Sequence, residues 1–457
     1  MVNIKRASEV RGSVSLPADP DLLHLTLSLA VATQKEMIIS PVISSPLVDN
    51  TIKSFAEQLD IKIDNNSFLI SPIINNPSPF IKLSYDDTPY REFILFLLLA
   101  TGKTVAFDRI TDEKIEHLKS LSIKFGCELQ VTNLDGETEK LKGLSINKTS
   151  DFTPNPKHIT QNEIHTFIAL ALGLKKEGET TIEFHLSTPL RAIFSVLKLN
   201  FLVKSNTEQK KLDPLARRIM MMKKSKKKES SKQSYTLSYN FLESTNTEKE
   251  NLPVAVSLPG DSVLSALLLT LKTLIPTGQF LVENALCETW AQAPLTLIKK
   301  MGCKPAVQTT GKCSFGEIGL ISIPKFKLVG RRLHCSPLYH YRPFFAALTV
   351  LANYAEGESI YRELEDFRLD PTDKIETLLS FVRIMGGRHG EMPDGMVLDG
   401  SKQKDGFDLF DSISPDINGA AIVAALRCNG KSTINEEPVL YRWPNFFEYI
   451  DSITKYK

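Results

Sequence analysis

The 457-residue sequence is short of several things, and each shortage narrows the reading. It has no apolar run near the roughly 20 residues that a membrane-spanning helix needs. It has six cysteines, scattered, with no CxxC and no Cys/His spacing of a metal site. These thiols read as small buried hydrophobes. Charge of one sign is not in excess. The formal net charge is +2, so the overall field gives no reason to expect nucleic acid or membrane as a partner. The opening stretch MVNIKRASEVRGSVSLP lacks the apolar core of a signal peptide. The expectation is a reduced, cytoplasmic protein.

What is present is ordinary soluble composition, 42% hydrophobic and 24% charged. The length is too great for one core and suits two or three domains. One pattern recurs along it. A polar or turn segment opens an Ala/Leu-rich helix, a turn follows, and then a short β-branched strand. The helices are expected at 19–33, 87–102, 161–174, 260–278, 341–357 and 415–430. The strands behind them are EMIIS, KTVAF, ETTIEF, QFLVEN, ESIYRE and KSTIN. A second, amphipathic helix follows in each unit, as in DEKIEHLKSLSIKFG and APLTLIKKMG, and the last unit is cut short at WPNFFEYIDSI. The period is roughly 75 residues, beyond the usual solenoid range.

The first helix of each unit carries the architectural information. FILFLLLATG and LSALLLTLKTLI are apolar almost all round, so they must be buried on most of their surface. The second helices have one apolar stripe and can lie between core and solvent. Six buried helices point to two clusters of three. Between the third and fourth units runs ARRIMMMKKSKKKESSKQS, a basic, Ser-rich insertion at about 214–234. It reads as a solvated loop near a domain junction. A nuclear-localisation or nucleic-acid patch is the other reading, and the run lacks the interleaved aromatics that base stacking uses.

Read with its local sequences, the repeat resembles the enolpyruvyl transferases, the family of 5-enolpyruvylshikimate-3-phosphate (EPSP) synthase. LPADPDLLHLTLSLA is similar to the family's Leu-Pro-Gly-Ser-Lys-Ser turn and helix. LPGDSVLSALLL is similar to its Pro-Gly-Asp-x-Ser-Ser-Ala element, with Gly260 and Asp261 in place. The stretch from AALTVLANYAEG to FVRIMGG and the ending PDINGAAIVAALRCNGKSTINEEPVLYRWPNFFEYI resemble the corresponding family segments. The resemblance covers nearly the whole chain. It implies an α/β fold of two domains, each an inside-out α/β barrel of three βαβαββ-type units with buried parallel helices. The expected division is 1–18 plus 250–457 for the first domain and 19–249 for the second. Substrates of active relatives, phosphoenolpyruvate and shikimate 3-phosphate, bind between the domains. No metal or organic cofactor is implied.

The implied chemistry is addition of the substrate hydroxyl to phosphoenolpyruvate followed by elimination of phosphate. It needs cations on the phosphates and carboxylate, an acid for the methylene carbon and a base for the hydroxyl. The resemblance places these positions on residues that do not suit them. The Lys-Ser of the first motif falls on Pro20 and Asp21, and the helix Arg falls on Leu25. The Asn-x-Gly-Thr-x-x-Arg loop falls on YDDTPYR, where Thr88 and Arg91 match and Asp87 replaces Gly. The Ser-Ser-Gln element falls on Glu163, Ile164 and His165. Ser187 matches a following Ser, with Leu190 in place of Tyr. The catalytic Asp falls on Pro343, and the Lys-Glu pair on Asp370 and Pro371. Asp373 matches, and Lys374 stands for Arg as a charge without its fork. The Asp-His-Arg motif reads Asp416, Ile417, Asn418, and the terminal Lys falls on Tyr441 with Arg442 next to it.

No catalytic residue is therefore assigned, and Thr88, Arg91, Ser187, Lys374 and Arg442 remain as candidates for residual substrate binding. Acid–base groups contribute about 10²–10⁴-fold each, so losing several together points to impaired or absent turnover. The expected role is binding or scaffolding, with weak affinity for phosphoenolpyruvate or a shikimate-3-phosphate-like anion, or with a protein partner. Two other readings stand beside it. One is an active transferase with displaced groups, for which His24 and His165 are candidate acid–base residues. The other is partner binding through the basic loop at 217–232. The segment RRLHCSPLYHYRP, with Arg331, Arg332, His334, His340 and Arg342, could hold a different anion or be a solvated loop. TGKT at 101–104 ends a helix and lacks the upstream Gly of a phosphate loop.

Overall fold

The computed structural model describes residues 1–73, 77–83, 90–107, 110–135, 140–147, 152, 159, 163–183, 188–206, 234–242, 252–287, 293–335, 343–369, 373–400 and 404–456. In chain order its main helices are α1 (Pro20–Thr33), α2 (Pro46–Phe55), α3 (Arg91–Ala100), α4 (Asp112–Lys124), α5 (Ile164–Gly173), α6 (Thr188–Val196) and α7 (Ser262–Leu274). After them come α8 (Ala293–Lys300), α9 (Phe344–Tyr354), α10 (Lys374–Ile384), α11 (Pro415–Ala425), α12 (Glu437–Arg442) and α13 (Phe446–Ile453). The basic insertion lies outside the described residues.

The apolar helices behave as their composition requires. Every residue of α3 and of α9 is buried. Each fully buried Leu, Ile or Phe on them contributes about 1.5–3 kcal/mol of transfer free energy. By contrast α4 buries Ile115, Leu118, Leu121 and Ser122, with Lys114, along one side, the stripe of a helix lying between core and water. Helices α1, α3 and α5 share one hydrophobic core, and α7, α9 and α11 share the other. Close approach is built in by small residues. A Cβ on Gly173 of α5 would stand 2.5 Å from the Cβ of Ala100 on α3.

Strands wrap each helix triplet as small sheets. Phe80–Leu83 pairs in parallel with Thr104–Phe107, and Arg332–His334 with Gly357–Arg362. In each case the buried helix is the crossover that a parallel pair demands. Around α1 and α7 the arrangement is exchanged. The strand leading into α1, Gly12–Ser15, pairs with Phe280–Leu286, which follows α7. The strand leading into α7, Val254–Ser257, pairs with Met37–Ser40, which follows α1. The chain thus passes between the two lobes at two neighbouring points, just before α1 and just before α7.

Candidate functional site

The two crossings lie side by side. Asp19 N–H donates to the Pro259 carbonyl at 2.9 Å, and Asp261 N–H donates to the Pro17 carbonyl at 2.7 Å. Ala18 and Gly260 face each other as an isolated antiparallel bridge. A Cβ on Gly260 would stand 2.4 Å from the Leu16 Cβ and 2.7 Å from the Asn284 carbonyl oxygen, so the approach requires glycine.

Each crossing ends in an aspartate that caps a helix. Asp19 accepts from the backbone of Asp21 at 3.0 Å and Leu22 at 3.3 Å, and Pro20 occupies the first turn of α1. Asp261 accepts from Val263 at 2.8 Å and Leu264 at 3.0 Å at the start of α7. Both match the preference for Asp at the N-cap, and Pro20 is tolerated where no N–H is needed. Asp19 also reaches the other lobe, accepting from Ser262 N–H at 3.2 Å.

Arg442, the last residue of α12, enters between them. Its Nη2 lies 2.9 Å from Asp21 Oδ2 and 3.0 Å from Asp261 Oδ2, and its Nε donates to Asp261 at 3.1 Å. Trp443 stacks on the guanidinium at 5.3 Å, and its Nε1–H donates to the same Asp261 oxygen at 2.8 Å. Asp19, Asp21, Asp261 and Arg442 are all buried. Burial and the neighbouring Asp261 and Asp21 carboxylates push Asp19 up to about 8, against the pull of Arg442 and the Ser262 N–H. Two carboxylates raise the pKa of Arg442 against its burial, so it stays charged. A cavity of about 40 Å³ touches Pro20, Ser44, Asp261, Arg442 and Asn445.

Other helix starts carry further polar contacts. Lys374 Nζ, opening α10, lies 3.3 Å from Asp416 Oδ2 in the first turn of α11. Ser414 Oγ donates to Asp416 at 2.5 Å. Asn418 donates to the carbonyls of Asp411 and Asn435 at 3.0 and 2.9 Å, and accepts from the backbone of Ile413 and Ser414. Its amide is spent on its own loops. Arg91 is buried at the start of α3, beside a buried ion pair, Lys114 to Glu92 at 2.9 Å. Tyr90 stacks on His165 and feels both Asp19 and Asp21. Tyr441 accepts from Asn50 of α2 at 2.9 Å.

The sequence-derived residues thus divide. Arg442, Pro20 and Asp21 come together with Asp261. Lys374 sits with Asp416, and Arg91 lies at the start of α3. Pro343 caps α9 with no side-chain hydrogen bond. Thr88, Ser187, Asp370, Pro371, His340 and Arg342 lie outside the described residues. His165 is buried on α5 and His24 is half-buried on α1, and desolvation lowers each to about 4, so both are neutral at pH 7. His334 is exposed and bonded to Glu363 at 2.6 Å. The roles of Asp19 and Trp443, and the Glu92–Lys114 pair, were not anticipated. An N-cap Asp before an apolar helix was a readable signal for the first. Nothing local announces the other two.

The fold matches that of solved EPSP synthases. EPSP synthase from Acinetobacter baumannii superposes with a TM-score of 0.66 at 14% identity, over 99% of this chain and 98% of that one. The enolpyruvyl transferase NikO from Streptomyces tendae gives 0.63 at 14% identity, over 100% and 98%. The sequence is similar to curated members as well. Against the 3-phosphoshikimate 1-carboxyvinyltransferase of Bacillus cytotoxicus it aligns over 99% of this chain and 100% of the relative, at 20% identity.

This chain is similar to the EPSP synthases.

The 3-phosphoshikimate 1-carboxyvinyltransferase of Streptococcus uberis is 27% identical over 205 residues, covering 44% of this chain and 47% of the relative. In such matches the chain spans about half the length of the curated relative. No family model matches it. Among the described residues of this EPSP-synthase-like chain, no helix is long and apolar enough to cross a membrane. Nor is any group of three or more His, Cys, Asp or Glu side chains among them arranged to hold a metal ion.

Proposed function

We propose that this EPSP-synthase-like chain is catalytically impaired or inactive, keeping the enolpyruvyl transferase fold for a binding or scaffolding role. The observation that carries the reading is the state of Arg442. Its guanidinium is shared between Asp21 and Asp261, and Asp21 stands where the family's motif has Ser beside a Lys. An arriving phosphate would meet carboxylates at close range and a cation already paired. Pro20 and Pro343 have no proton to exchange and no charge to lend. Lys374 is engaged with Asp416.

The division into 1–18 with 250–457 and 19–249 belongs to the same proposal, with ligands entering between the two parts. Pairing of Val254–Ser257 with Met37–Ser40 supports a crossing of the chain in this region. A cytoplasmic location belongs to the same proposal. Any remaining affinity for phosphoenolpyruvate or a shikimate-3-phosphate-like anion is weak. Thr88, Arg91, Ser187, Lys374 and Arg442 are its candidate contacts, and a protein partner is the other class of ligand.

Mixing the protein with phosphoenolpyruvate and shikimate 3-phosphate and following phosphate release tests the reading. Release no faster than the protein-free blank is expected. Glyphosate-sensitive release would overturn it in favour of an active transferase with displaced groups.

A further inference from the structure

We propose that Asp21 is a built-in oxyanion ligand of Arg442, so that an external carboxylate or phosphate reaches this guanidinium only when Asp21 is withdrawn. The inference rests on the functional reading above and goes further, by naming the contact that closes the site and the ligand class it would take.

The geometry is that of an occupied anion receptor. Two nitrogens of Arg442 face Asp21, Nη2 at 2.9 Å from Oδ2 and Nη1 at 3.4 Å from Oδ1. This fork-to-carboxylate arrangement is the one a guanidinium uses for a free carboxylate or phosphate. The remaining contacts go to Asp261, which is fixed independently as the cap of α7 and as the acceptor of Trp443 Nε1–H. Asp261 therefore serves as part of the receptor wall, and Asp21 takes the position of a ligand. Asp21 accepts its charge partner from the first turn of α1, on the opposite lobe, whereas Arg442 and Asp261 both belong to the first lobe.

The surroundings fit. The guanidinium and both carboxylates are buried, so the contact is shielded from water and salt. A cavity of about 40 Å³ adjoins Arg442 and Asp261. Removing the Asp21 carboxylate vacates its side of the guanidinium and leaves Arg442 with Asp261 and the Trp443 ring. Ser44, Ser45 and Asn445 line the same cavity as Arg442 and Asp261.

The test compares wild type, Asp21→Ala and Asp21→Ala with Arg442→Gln, each titrated calorimetrically with acetate and with inorganic phosphate and each melted in both. Asp21→Ala is expected to bind at least one of the two anions tenfold or more tighter than wild type, with a matching rise in Tm. The anion preferred separates a carboxylate from a phosphate ligand. Adding Arg442→Gln is expected to abolish the gain. A folded Asp21→Ala with wild-type affinity for both anions would overturn the inference, as would a gain that survives Arg442→Gln. Asp21→Ser, which keeps a polar helix start, carries the same comparison should the alanine variant not fold. Turnover by the wild type would count against the functional reading and leave this result standing. Failure of the variant to take up an anion would sink this inference alone.

Discussion

Arg442 Nη2 lies 2.9 Å from Asp21 Oδ2, and the two residues come from opposite lobes and are 421 positions apart in the chain. Asp261 completes the contact from the second crossing. The ion cluster therefore ties together the two places where the chain changes lobes. Taking such charges out of water is costly, and their mutual attraction offsets this only while each partner is present.

Removal of the cation should be the most damaging single change at this point. Arg442→Gln leaves Asp19, Asp21 and Asp261 buried together without a counter-charge. A loss of about 3–5 kcal/mol is expected from urea unfolding at pH 7. A loss under about 1 kcal/mol, the range of exposed ion pairs, would mean that the cluster is solvated.

Asp19 makes stability depend on pH in a defined sense. Its pKa is raised from 3.8 to about 8 in the fold. The folded state then holds a proton that the unfolded state has lost, so its stabilising contribution is full below about pH 4. It is lost as pH rises through about 8. Asp19→Asn keeps a good N-cap. Unfolding midpoints between pH 5 and 9 should fall less steeply in this variant than in wild type. Identical slopes would show that Asp19 is ionised throughout.

Two histidines act at the acid end. His24 packs edge-on to Phe55 at 5.6 Å, and His165 stacks on Tyr90, each lowered from 6.5 to about 4. For a base with a lowered folded pKa, stability is present above 6.5 and lost as pH falls towards 4. His24→Leu should flatten the decline between pH 6.5 and 4 while leaving the melting temperature at pH 8 within a few degrees. An unchanged acid slope would place the charge-sensitive group elsewhere.

Helix packing gives a prediction free of electrostatics. Gly173→Val would drive side-chain atoms into Ala100 and the Leu97 carbonyl, 2.9 Å from the Cβ position. Overpacking of this kind costs typically about 1–3 kcal/mol. Ala100→Gly in the same chain should recover part of the loss, and a full additive loss in the double variant would argue that α3 and α5 do not meet there.

Much of the fold was legible because it is written in local pattern. FILFLLL could be buried on all sides or nowhere, and α3 is buried throughout. The first and fourth apolar helices, expected from 19 and 260, begin at Pro20 in α1 and Ser262 in α7. The exchange of strands around α1 and α7 was not legible, since Gly12–Ser15 and Val254–Ser257 look like any short strands until their partners are seen. The site was legible only as a set of lost groups. That Asp21 is paired with Arg442 depends on two residues meeting from opposite ends of the chain, and spacing along the chain carries no trace of it. The Glu92–Lys114 pair is hidden for the same reason, one partner on α3 and the other on α4.

The central claim is that the enolpyruvyl transfer no longer runs. It is tested most directly by phosphorus NMR of phosphoenolpyruvate and shikimate 3-phosphate incubated with stoichiometric protein. At that concentration even a few turnovers per hour would be visible. The spectrum is predicted to keep the two substrate resonances alone, with inorganic phosphate no higher than in the protein-free sample. A phosphate resonance that grows in proportion to protein, together with that of a new phosphorylated product, would contradict it.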